Sequence, residues 1–135
     1  VIDWVMILFP HYRKEMKGIE WGYLYNKYHL NSYDSKAFES RILELIDDDD
    51  VGSIKGIYEY LFDGEEKHLS LRQFDDKTKR KVYEKQKGIC AVCGKHFEID
   101  EMEADHIDPW HDGGKTVIDN CQMLCKPCNR RKSGK

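Results

Sequence analysis

Two copies of one short pattern, Cys90-x-x-Cys93 and Cys125-x-x-Cys128, carry the clearest chemistry in the chain. Each pair can set two thiolates on one side of a tight turn, and two such turns complete a tetrahedral site of the kind zinc prefers when no position is left open. The other reading of four cysteines is a pair of disulfides. The sequence shows no basic start followed by an apolar stretch and a small-residue cleavage site, so a reducing compartment is expected and thiolates on zinc are favoured. A closed four-cysteine site holds a small module together but cannot present an activated water. Reactive groups must therefore lie elsewhere, and the 31 residues from Gly94 to Leu124 are more than a plain zinc ribbon needs. The fifth cysteine, Cys121, is expected to be a small core residue.

Within that insert, Met102 to Ile107 alternates as a strand, which sends Asp105 and His106 to opposite faces. Pro109 ends it, and Trp110-His111-Asp112-Gly113-Gly114 supplies a loop. Val117 to Asn120 closes the loop, and Gln122-Met123-Leu124 resembles a second strand. Asn129-Arg130-Arg131-Lys132 opens a basic segment that can be helical, so the order is strand, loop, strand, helix. His111 is expected to be exposed, and His96 to belong to the hairpin after the first cysteine pair.

The elements that lead into this region read as helices. Trp4, Ile7 and Leu8 fall at helical spacing before Pro10, which lacks the amide proton a helix needs and sets a boundary near residue 9. Trp21, Leu24, Tyr25 and Tyr28 predict a second helix. Phe38, Ile42, Leu45 and Ile46 predict a third, capped by Ser35 and ended by the carboxylates of Asp47 to Asp50 at the negative end of its dipole. That acidic run is a solvated terminus and is assigned no function. Ile57, Tyr58, Leu61 and Phe62 form a short apolar stretch stopped by Asp63-Gly64. Asp75 or Asp76 is placed to cap a basic helix over Lys77 to Gln86, with Val82 as its anchor and Gly88 as a left-handed terminator.

Length and charge bound the answer. The 135 residues allow one domain with a small appendage, and 40% apolar against 35% charged residues describes a foldable, hydrophilic chain. No apolar run approaches the roughly 18 residues that span a bilayer, so a membrane protein is excluded and a cytoplasmic location is expected. The chain opens on Val1 in an apolar segment, which suggests a fragment of a longer polypeptide lacking an N-terminal domain. The net charge of -3 hides an asymmetry. Residues 1-76 carry 9 Lys and Arg against 16 Asp and Glu, whereas residues 77-135 carry 13 against 9. From Lys115 on there are 6 basic residues and one acid, Asp119, a density suited to phosphate.

Taken together in order, Asp105-His106-Ile107-x-Pro109, Gly113-Gly114, Asn120 and Cys125-x-x-Cys128-Asn129-x-x-Lys132 resemble the HNH endonuclease motif, over about residues 88 to 135. The resemblance implies an α+β chain: a ββα-metal (His-Me finger) module over residues 77-135 stapled by zinc, preceded by a mostly helical lead-in over residues 1-76. It implies a metal-dependent DNA endonuclease in which His106 is the general base and Asp105 and Asn129 hold a catalytic cation. Asn120 would support the catalytic loop and orient the His106 ring, and Arg130, Arg131 and Lys132 would contact DNA phosphate. Many members of the family carry histidine where this chain has Asn129, and the harder amide oxygen favours Mg2+ or Mn2+ there. The wider stretch, with Leu71-Arg72-x-Phe74 and Glu103 to Trp110, is similar to proteins that fuse an HNH nuclease to a ParB-like NTPase domain, including restriction and phage-defence systems. The rival reading is a non-catalytic zinc module that binds DNA or organises a protein interface.

Overall fold

A computed structural model describes residues 1–132. The chain divides into two compact units, Val1–Arg72 and Gln73–Lys135. The division falls four residues ahead of the expected boundary, and Phe74 belongs to the core of the second unit.

The first unit is helical. It contains α1 (Ile2–Leu8), α2 (Trp21–Tyr28), α3 (Ser35–Asp47) and α4 (Gly56–Asp63), with 3-10 turns at Lys14–Gly18 and Glu66–Leu69. Leu24, Ile42, Leu45, Ile57, Tyr58 and Leu69 fill its centre and are almost wholly buried. Phe62 stacks on Tyr28 at 5.0 Å and meets Phe38 and Tyr33 edge-on, an arrangement that suits the ring quadrupoles. One expectation is corrected here. Ser35 is the first helical residue of α3, not its cap; Asp34 Oδ1 accepts from the amides of Lys36 and Ala37. Both residue types suit a cap, and the cap falls to the one with extended backbone, φ −95° and ψ 109°.

The second unit combines α5 (Asp76–Lys85), a two-stranded antiparallel sheet of β1 (Met102–His106) and β2 (Cys121–Cys125), and α6 (Lys126–Lys132). This is the α+β arrangement expected, strand, loop, strand and helix. Asp75 caps α5 through Thr78 N at 2.8 Å, Val82 anchors it in the core, and Gly88 follows with φ +73°. The register pairs Met102 with Cys125, Asp105 with Gln122 and His106 with Cys121. Alternation therefore puts Met102, Ala104 and His106 on the face shared with Met123 and the buried Cys121, and Glu103 and Asp105 on the other. Ile89 bridges to His96 in a short hairpin that carries the first cysteine pair. Among the described residues no helix is long and apolar enough to cross a membrane.

Candidate functional site

The four cysteines come together. Cys90 and Cys93 lie on the Ile89–His96 hairpin, while Cys125 ends β2 and Cys128 sits in the first turn of α6. Their sulfurs all lie within 4.8 Å of one another, with Cys93 and Cys125 3.9 Å apart. A tetrahedron with zinc–sulfur bonds of about 2.3 Å has sulfur–sulfur edges of about 3.8 Å, whereas a disulfide needs about 2.05 Å. The donor set and its spacing fit zinc, and all five cysteines are free thiols in the structure.

Local backbone prepares this cluster for a cation. Burial works against the Cys90 thiolate, but the amides of Cys93, Cys125 and Val92 point at its sulfur from 3.4 to 3.5 Å and bring the thiol down to about 6. Burial pushes the Cys125 thiol the other way, to about 12. Four thiolates at such distances repel one another unless a dication lies between them, so zinc binding and deprotonation are one event. Cys121 is apart from the cluster, buried in the core, and burial together with the charge of Asp105 raises it to about 11. It is the inert core thiol expected of it.

His106 closes β1 with its ring half-buried. Phe74 packs against that ring at 4.3 Å between centroids, and Nε2 lies 2.9 Å from Thr116 Oγ1. Thr116 is itself buried. Asn120 acts on the loop between the strands: Oδ1 accepts from Asp108 N at 2.8 Å, and Nδ2 donates to the carbonyls of Asp108 and Lys115 at 3.0 and 2.8 Å. Its backbone carbonyl also accepts from Ile107 N at 2.9 Å. The Asn120 side chain thus holds the two ends of the loop, and Thr116 and Phe74 are what touch the His106 ring. Gly113, at φ +91°, and Gly114 make the same loop fit; a Cβ on Gly114 would lie 1.7 Å from the Asp108 carbonyl oxygen.

On the opposite face of β1, two side-chain pairs join strand to helix. Asn129 Nδ2 donates to Glu103 Oε1 at 3.0 Å, and Lys132 Nζ donates to Asp105 Oδ2 and to the His106 carbonyl, the latter at 2.8 Å. Gln122 Nε2 also donates to Asp105 Oδ2, at 2.9 Å. The spacing explains the match, since residues two apart on a strand and three apart on a helix each repeat on one face. Asp105 and Asn129 therefore stand on neighbouring rungs, with the Glu103 carboxylate between strand and helix. Carboxylate and amide oxygens are the donor types a hard cation such as Mg2+ or Mn2+ takes, but the structure pairs Asp105 with Lys132 and Gln122, and Asn129 with Glu103, rather than bringing Asp105 and Asn129 together. Such a cation would take over the charge that Lys132 now places on Asp105.

Arg130, Arg131 and Lys132 of α6 are all exposed, but they already have partners. Arg131 donates to Cys128 Sγ at 3.1 Å, and Lys132 is bonded as above. Arg130 is exposed, as is His111 in the loop. Thr116, Phe74, Glu103 and Gln122 are the participants sequence reasoning passed over. Of these, Glu103 alone had a visible signal, its place two residues before Asp105 on the same strand face.

Residues 90–135 match the family described as HNH endonuclease. The chain is also similar to the Type IV methyl-directed restriction enzyme EcoKMcrA of Escherichia coli (strain K12), at 36% identity over 62 residues. That alignment covers 42% of this chain and 22% of the relative. The C-terminal end of the chain is thus similar to HNH endonucleases and to part of a restriction enzyme, and the chain spans less than a quarter of that relative's length. Neither match reaches a ParB-like NTPase domain.

Proposed function

We propose that the second unit is a metal-dependent endonuclease that hydrolyses DNA phosphodiester bonds, with His106 as general base, and that it serves restriction. The observation that carries this reading is the His106 ring fixed between Phe74 and Thr116 Oγ1 on the strand that also presents Asp105. With Nε2–H donating to Thr116, the lone pair is on Nδ1, and that nitrogen takes the proton from the attacking water. Thr116 sets the tautomer and Phe74 the ring plane, so both are positioning residues. Asp105 and Asn129, with Glu103 behind Asn129, hold the catalytic cation. When bound, a hard dication neutralises charge on the phosphate and the leaving oxygen.

The zinc-filled cysteine cluster anchors β2 and α6, and so fixes Asn129 relative to Asp105. Arg130, Arg131 and Lys132 supply phosphate contacts; for Arg131 and Lys132 this means exchanging the partners seen here. The methyl-directed relative points to modified DNA as the substrate class, selected by a domain outside residues 1–135. On this reading residues 1-76 are the lead-in and 77-135 the nuclease module.

The rival, a zinc module that only binds DNA, gives no role to the joint placement of Asp105, His106 and Asn129 around one hairpin. Incubating the purified chain with Mg2+ or Mn2+ and plasmid, linear or single-stranded DNA, methylated and unmethylated, separates the two. The nuclease cuts and the binding module does not.

A further inference from the structure

The helical unit holds a second set of ligating side chains, remote in sequence from the cysteines. Glu59 and Asp63 lie one turn apart on α4, and His68 comes back to them from the 3-10 turn Glu66–Leu69. Their ligand atoms all lie within 4.8 Å of one another. His68 Nε2 is 2.7 Å from Asp63 Oδ2 and 3.6 Å from Glu59 Oε2, with side-chain exposures of 14% for His68, 19% for Asp63 and 34% for Glu59. We propose that Glu59, Asp63 and His68 form a binding site for zinc, separate from the four-cysteine site and from the proposed nuclease centre.

Simple ion pairing leaves this arrangement incomplete. One Nε2–H can serve one acceptor in line, and Glu59 at 3.6 Å is beyond hydrogen-bond range of it. Two carboxylates facing one imidazole leave net negative charge in a half-buried place, and a dication removes it. Two oxygens and one imidazole nitrogen are a donor set zinc takes readily, and three protein ligands leave a position for water or substrate.

A second observation points the same way. The Tyr28 hydroxyl is in a residue only 8% exposed and has no hydrogen-bond partner among the described residues. Burial and then the charge of Asp63 hold its proton on, with Lys27 opposing. Glu59 and His68 also line a cavity of about 380 Å³ with Ser53, Gly56 and Tyr23, through which an ion can enter.

The three ligands are held in place before any ion arrives. A Cβ on Gly56 would lie 1.7 Å from the His68 carbonyl oxygen, so the start of α4 and the His68 turn are in backbone contact that only glycine permits. The amides of Gly52 and Ser53 donate to the Leu69 carbonyl at 3.0 and 2.9 Å, and Asp63 Oδ1 accepts from Glu65 N at 2.8 Å. These bonds leave Asp63 Oδ2 facing His68.

The test uses the full chain with Asp105→Ala and Asn129→Ala, loaded with zinc at the cysteines, so that the proposed nuclease cation site is disabled. Zinc titration by calorimetry, with elemental analysis after dialysis, is expected to show one further zinc per chain with micromolar affinity. Adding Glu59→Gln, which keeps the Asp63–His68 pair and hence the fold, should weaken that step by about tenfold, and Asp63→Asn with His68→Gln should abolish it. Circular dichroism before zinc addition verifies that each variant is folded. The absence of a second zinc in the parent overturns the proposal without reference to any variant. Undiminished binding in the Glu59→Gln protein does so equally.

Discussion

The ring of His106 makes contacts on two sides, and each contact has its own consequence. Replacing Thr116 with valine keeps the buried shape and removes the hydroxyl beside Nε2, so the tautomer proposed for His106 loses its partner. Cleavage should fall on the order of tenfold in Thr116→Val, with the loss in kcat rather than KM and DNA affinity unchanged. A variant that merely loosened packing would lower stability without that selective loss in kcat. Asp105→Ala and Asn129→Ala should instead lose cation affinity, and raising Mn2+ should restore part of their rate. Cys121 offers a residue-scale check on the zinc assignment. Its thiol is raised from an ordinary 9.0 to about 11, so it stays protonated at neutral pH. The stability that burial of the neutral thiol gives is complete below pH 9 and is lost as the pH rises toward 11. In zinc-loaded protein at pH 8, an alkylating agent should spare all five cysteines; after chelation the four ligands should react.

At the scale of elements, the loop between β1 and β2 depends on Asn120 and the paired glycines. Asn120→Ala removes three side-chain hydrogen bonds, one to the amide and two to the carbonyls of a partly exposed loop, and should destabilise the second unit by about 1–3 kcal/mol, read as a lowered melting temperature at constant zinc content. Much of this was legible in advance, because strand alternation, a Pro stop and a Gly-Gly loop are local signals. Both strands follow from them, and α5 and the C-terminal helix follow from their basic runs, though the sequence left the cap of α5 open between Asp75 and Asp76. The errors arise where the competing groups are chemically alike or come from afar. Asp34 and Ser35 are both good caps, and only backbone geometry chooses. Thr116 and Phe74 meet His106 across 10 and 32 residues of chain, and no spacing rule joins them. Arg131 and Lys132 look like free cations in sequence, since nothing local reveals that Cys128 and Asp105 will lie beside them.

At the scale of the molecule, the two compact units should respond differently to metal. Chelating zinc removes the tie between the Ile89–His96 hairpin, β2 and α6 in the second unit, which should lose its structure, while the aromatic and aliphatic core of the first unit is built from residues other than metal ligands and should stay packed. Circular dichroism after chelation should show a partial loss of helix, and the aromatic signal of residues 1–72 should persist. The charge asymmetry makes a second claim at this scale. Changing Arg130, Arg131 and Lys132 to neutral residues should weaken DNA binding across sequences and flatten its salt dependence, because phosphate contacts carry no base information. The central claim, that this chain is a nuclease working through His106, is tested most directly by one comparison. Wild-type protein and His106→Ala, both shown to be zinc-loaded, are incubated with methylated and unmethylated DNA in Mg2+ or Mn2+, and cleavage is followed with time. The wild type should cut and the variant should be slower by about a hundredfold or more at every cation concentration, with DNA binding intact. Cleavage at equal rates by the two proteins, or intact DNA with the wild type, would contradict it.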